Sequence, residues 1–357
     1  MPRTSTPLCA LLIGLIGSAA VHAQSAPAPA SSVPITDLTT VAVSGVQPGP
    51  GLWKVSRGEH VLWVLGVMPA MPEHVQWRSQ EVADVIAASQ EVIEPPRVKL
   101  TADVGFFGKL LLLPSAYGAR KNEDGRTLQE VLPPSLYARW QPLKAKYLGN
   151  DRGIERWRPF FAAMELRKQA LKRQGLGSSG AIQHTIDALA TQHGVKLTHT
   201  DYTLKIEHPR DAIKAFRRAA PGDITCFART LDSIEHDLPA MTARANAWAV
   251  GDIATLRAMP DSDYRDACVA ALSNAGFAHE LGISDVPARI EAVWLAAARH
   301  ALATDTQSFA LLPMPELLAP DGLLAKLQKE GYAVLAPDQE DDPPSATPAS
   351  AASMSSR

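Results

Sequence analysis

Three carboxylates in this chain follow apolar runs and stand beside prolines: Glu73 in Met71-Pro72-Glu73, Glu94 before Pro95-Pro96, and Glu316 in Met314-Pro315-Glu316. His74 adjoins the first of them. Gathered in space, such carboxylates are oxygen ligands for a hard cation such as Ca²⁺ or Mg²⁺. A cation held there activates water as a nucleophile, with a carboxylate as proton acceptor. The plainer reading is Pro-bounded loops with solvent-facing carboxylates, and a surface loop for His74. Chance alone yields roughly twenty matching tripeptide pairs in a chain of 357 residues, so only the location of these two makes them candidates. The sequence contains no Gly-x-Ser-x-Gly, no His-Glu-x-x-His, no phosphate loop and no Cys-x-x-Cys. Its other histidines are scattered, without metal-ligand spacing.

Such positions act together only if strands end beside one another. Residues 52–57 and 60–67 read as a hairpin around Gly58-Glu59. The second arm, HVLWVLGV, is apolar on both faces and belongs at the centre of a sheet. Residues 75–90 carry helical spacing, and 91–94 form a short strand stopped by two prolines. Strand, helix, strand is a βαβ unit, with a parallel sheet expected. From about 127 to 303 the pattern is mainly helical. Trp140, Leu143, Tyr147 and then Trp157, Phe160, Phe161, Met164 are spaced as buried faces, and 195–200 is a short strand. Long helices are expected over 224–250, 262–281 and 286–302, and an apolar strand over 308–312. A helix over 322–330 is closed by Gly331, and 332–335 is a last strand. The fold class is α/β: a small mixed sheet built from both chain ends, with a large helical insertion. Gly66, Pro69, Glu94 and Glu316 then lie at the carboxyl ends of strands, where open α/β sheets bind ligands.

The composition, 46% hydrophobic and 20% charged, is that of an ordinary globular chain. The formal charge of −2 leaves no basic excess for nucleic acid. No internal apolar run has the length of a membrane span, and no period marks a repeat fold. The first residues, MPRTSTPLCALLIGLIGSAAVHAQS, read as a secretory signal with Arg3 ahead of an apolar stretch. Val21-His22-Ala23 places cleavage after Ala23; the alternative is an uncleaved anchor. The expected organisation is a signal peptide over 1–23, an Ala/Pro/Ser linker over 24–38, a folded domain over 39–336 and a disordered tail over 337–357. The expected location is periplasmic or secreted. Cys9 leaves with the signal. The even pair that remains, Cys226 and Cys268, is expected to form a disulfide in an exported protein, with two buried thiols as the alternative.

The order of elements resembles the TraB/GumN family, which includes the Tiki-type metal-dependent proteases. The resemblance rests on Leu52-Trp53-Lys54-Val55, the strand ending in Glu94, Trp248-Ala249-Val250-Gly251-Asp252, and the closing Gly322-Leu323-Leu324 and Gly331-Tyr332. It implies a metal site made by a Gly-x-x-His after the first central strand, a Glu after the second, and another Gly-x-x-His after the late strand. Carried over, the first becomes Gly66-Val67-Met68-Pro69, with Pro69 where the histidine belongs. Glu94 is intact, and Glu316 stands at the second histidine position. Proline has no donor side chain, and a carboxylate is a harder ligand than imidazole. The expectation is therefore a non-catalytic binding or envelope-associated relative, with no cofactor and an unknown partner. The alternative is a metal-dependent hydrolase using Glu94 and Glu316, helped by Glu73 or His74, with a divalent metal.

Overall fold

Two runs of Val, Leu and Trp separated by Gly58-Glu59 fold as the alternation dictates. β1 (Leu52–Arg57) and β2 (His60–Val67) are antiparallel neighbours, and Gly58 takes the positive φ (+59°) that the turn needs. The structure is a computed structural model that describes residues 50–72, 80–102, 105, 112–115, 117–218, 221–259, 268 and 285–339. All of these belong to one unit, Asp37–Arg357. After β2 come β3 (Met71–Pro72), α1 (Gln80–Ala87), β4 (Glu91–Ile93) and β5 (Arg97–Ala102). Residues 73–79, which include Glu73 and His74, lie outside the described residues.

The inserted region carries α2 (Leu128–Val131), α3 (Pro134–Tyr147), α4 (Pro159–Arg173), β6 (Leu176–Gly177), α5 (Gly180–His193), β7 (Lys196–Thr198) and β8 (Asp201–Ile206). Next are α6 (Pro209–Arg218), α7 (Pro221–Asp232), a π-helical turn (Ser233–Asp237), α8 (Leu238–Val250) and α9 (Ile253–Ala258). The helix expected over 262–281 lies outside the described residues, apart from Cys268. The chain closes with α10 (Val286–Thr304), β9 (Gln307–Pro313), α11 (Met314–Leu318), α12 (Leu323–Lys329) and β10 (Ala333–Leu335). Gly331 takes φ +88° after α12, a left-handed position that suits glycine.

The main sheet has the order β10-β1-β2-β9-β4-β7. β2, β9, β4 and β7 are mutually parallel; β1 runs against β2 and β10. Both chain ends thus build one sheet, as expected. The βαβ unit lies in a parallel sheet, as expected, and β2 and β4 are parallel without being neighbours. β9 lies between them, from Val61 beside Gln307 to Val67 beside Pro313 on one side and against Val92 and Ile93 on the other. Its core, Ser308 to Leu312, is wholly buried, and a strand apolar on both faces takes the centre of a parallel sheet.

The inserted region also holds more strand than the periodicity predicts. β8 pairs in parallel with β5 along its whole length, and β6 pairs with β3. These pairings are non-local, so no periodicity within either segment reveals them. Among the helices, Trp140 packs on Phe227 with ring centroids 5.4 Å apart. Met164, expected in a buried face, is exposed. The buried stripe of α4 is Ala162, Ala163, Leu166 and Ala170, whose small side chains let α4 approach its neighbours and turn Met164 outward. On α10 the stripe Trp294, Leu295, Ala298, Ala301 and Leu302 is buried beneath the sheet.

Two tethers join the inserted helices. Cys226 and Cys268 form a disulfide with Cα atoms 4.5 Å apart, and Phe160 packs against it. One turn before Cys226, Asp223 accepts hydrogen bonds from Arg158 Nε at 2.7 Å and Nη2 at 2.9 Å. Both side chains are buried, and Arg158 Nη1 also donates to the Phe216 carbonyl at 2.7 Å.

Candidate functional site

Because β2, β9, β4 and β7 are parallel, their carboxyl ends share one edge of the sheet. Met68 and Pro69 follow β2, Glu316 lies in the first turn of α11 after β9, Glu94 follows β4, and His199 follows β7. The structure therefore brings Pro69, Glu94 and Glu316 to a common edge on neighbouring strands.

Gly66 is a packing position. Its carbonyl accepts the indole N–H of buried Trp248 at 2.7 Å. A Cβ on Gly66 would come within 2.5 Å of Met314 Cε and 2.7 Å of Leu317 Cδ1. Glycine here lets α11 close over the end of β2. Gly66→Ala is expected to destabilise the fold by about 1–3 kcal/mol through overpacking, read as a lower urea midpoint at unchanged slope. The Trp-Ala-Val-Gly-Asp run of residues 248–252 is structural in the same sense. Trp248 reaches β2, Gly251 ends α8 at φ +74°, and Asp252 caps α9 by accepting from Thr255 N at 2.9 Å and Oγ1 at 2.6 Å. The Thr255 hydroxyl and amide hold the Asp252 carboxyl below its usual range. That contribution is present at neutral pH and is lost as pH falls through the depressed value.

Glu94 is buried, and its surroundings are specific. Its backbone N–H donates to the Thr198 carbonyl at 3.0 Å, and its carbonyl accepts from Thr200 Oγ1 at 2.8 Å. Its carboxylate is bonded to Arg97 Nη2 and lies 3.1 Å from His199 Nδ1. Arg97 Nε is also 3.7 Å from Asp201 Oδ1. Glu91, buried three residues earlier, is paired likewise with Lys196 at 3.0 Å and with Thr198 Oγ1.

His199 is the site residue that the sequence reading passed over as one of the scattered histidines. A signal did exist. Parallel pairing sets Ile93 beside Thr198, so one step further sets Glu94 level with His199. Pro69 is exposed and offers no donor. Glu316 is half-buried, and its backbone carbonyl closes on Gly322, where a Cβ would overlap it.

The resemblance implies a divalent cation on this edge. Among the described residues, no group of three or more His, Cys, Asp or Glu is arranged to hold a metal ion. The carboxylate of Glu94 is engaged by a guanidinium and an imidazole, and Pro69 contributes nothing.

A parallel-centred α/β sheet made from both chain ends, closed by a Trp-anchored helix and a Gly-Leu-Leu helix, defines the class of this protein. The model of the TraB/PrgY/gumN family matches residues 51–336, and the chain belongs to that family. Neither a curated protein nor a solved structure gives a significant match.

Proposed function

We propose that this chain is an exported, non-catalytic member of the TraB/PrgY/gumN family that acts by binding, in association with the cell envelope. The observation that carries the reading is the state of the carboxyl edge. Pro69 stands where the resemblance places an imidazole, and the Glu94 carboxylate is paired with Arg97 and lies 3.1 Å from His199 Nδ1. A carboxylate so engaged serves structure or ligand contact rather than a cation. Export rests on the signal-like first residues and on the Cys226–Cys268 disulfide, which suits an oxidising compartment. Among the described residues, no helix is long and apolar enough to cross a membrane.

One observation favours the hydrolase reading: His199 brings an imidazole to Glu94, and Glu316 lies on the same edge. Thermal unfolding separates the two. A bound metal stabilises a fold by several kcal/mol once it far exceeds its dissociation constant. The midpoint of the purified protein is expected to stay unchanged on adding chelator, Mn²⁺, Co²⁺ or Zn²⁺, and elemental analysis to find no stoichiometric metal. A large upward shift with one ion, abolished by Glu94→Gln or Glu316→Gln and accompanied by peptide hydrolysis, establishes the enzyme instead.

A further inference from the structure

Beyond the carboxyl edge, β4 and β7 continue as a separate ribbon. β5 starts after Pro95-Pro96 and β8 after His199-Thr200, and the two pair in parallel from Arg97 beside Asp201 to Ala102 beside Ile206. The alternation sorts this ribbon into two faces. Val98, Leu100, Ala102, Tyr202, Leu204 and Ile206 share one; Arg97, Lys99, Thr101, Asp201, Thr203 and Lys205 share the other. The β8 half of the apolar face meets α10, where Arg289 Nη1 donates to the Tyr202 hydroxyl at 3.1 Å. The β5 half is bare: Val98 is 40% exposed and Leu100 63%. Among the described residues, the outer edge of β5 forms no backbone hydrogen bond to any strand but β8. Two strands alone are marginal in water, and an open edge is a template for a third.

We propose that β5 is a docking edge that takes up an extended peptide from a partner, with acidic side chains alternating with apolar ones. Main-chain bonds along β5 supply the pairing. Apolar side chains of the added strand lie beside Val98 and Leu100, and acidic ones beside Lys99, which has no ion pair among the described residues. Charge selects this occupant over a second copy. Antiparallel pairing of two β5 strands centred on Lys99 sets Lys99 of one copy opposite Lys99 of the other, and like charges in opposed positions destabilise a pair. The polar face carries Arg97, Lys99 and Lys205 together with Asp201, with Glu94 meeting Arg97 from below. This docking edge is separate from the question of a metal at the carboxyl edge.

The test uses the full chain, with chelator present, and a fluorescent peptide of alternating Glu and Val. Saturable binding is expected. Lys99→Glu is expected to weaken it at least tenfold and to favour an alternating Lys and Val peptide, while Lys99→Arg keeps the original affinity. N-methylation of the amides along one edge of the peptide abolishes binding; along the other edge it does not. No saturable binding to the wild type, equal loss from methylation of either edge, or indifference to Lys99→Glu overturns the proposal. A wild-type dimer that excludes the peptide overturns it in favour of a second copy.

Discussion

Asp223→Ala is expected to destabilise the protein by about 3–5 kcal/mol, because it leaves the Arg158 guanidinium buried without its partner. The two side chains are 2% and 4% exposed, so water cannot take over the lost hydrogen bonds. Arg158 keeps only the Phe216 carbonyl and the face of the Phe216 ring, 4.5 Å from its guanidinium carbon. The pair itself contributes much less than its rupture costs. Burial pushes the Asp223 carboxyl up from its ordinary value, and the hydrogen bonds and charge of Arg158 pull against that shift without overcoming it. A carboxyl raised in the folded state holds its proton more tightly there than in the unfolded chain. Its contribution to stability therefore falls as pH rises from the ordinary carboxylate value through the raised one. The double variant Arg158→Met with Asp223→Leu is expected to recover most of the loss, since apolar groups of similar size replace such pairs with little penalty. Urea unfolding of the single and double variants measures both. A single variant within 1 kcal/mol of wild type contradicts the burial argument.

Opening the Cys226–Cys268 disulfide is the second large effect. The cysteines are 42 residues apart, and loop-closure entropy for that separation gives about 4 kcal/mol at 25 °C. The bridge holds α7 to the segment around Cys268, with Phe160 of α4 packed on it, one turn from the Arg158–Asp223 pair. Cys226→Ala with Cys268→Ala, or reduction of the wild type, is expected to lower stability by that amount. Thiol titration of the unfolded, unreduced protein is expected to find neither Cys226 nor Cys268 free. Both thiols free contradicts the bridge. The two tethers share α7, so Asp223→Ala and the cysteine variant are expected to be non-additive when combined.

Much of this architecture is written locally. The hairpin arms of residues 52–67 are apolar runs around a turn glycine, and β1 and β2 occupy the same residues. The long helices over 224–250 and 286–302 follow from apolar periodicity, which one helix expresses without help from distant chain. Gly331 ends α12 because only its backbone tolerates that φ cheaply. The even cysteine count pointed to a bridge, and the sheet from both ends followed from where the apolar strands lie.

Strand order and the state of each candidate side chain are long-range properties, and no periodicity carries them. β9 lies between β2 and β4, an order that exists only once all strands are packed. β5 alternates polar and apolar residues after two prolines, and only β8, about a hundred residues on, gives it a pairing partner. Glu94 was visible as a carboxylate at a strand end, but the sequence is silent on its partners. Arg97 is three residues away and foreseeable, whereas His199 reaches Glu94 only through the parallel register of β4 and β7. The residue types at the carboxyl edge were thus set by the chain itself, above all the proline at position 69. Whether a carboxylate there is bare or paired is settled by which strands pack side by side, because burial and charge pairing are properties of neighbours in space.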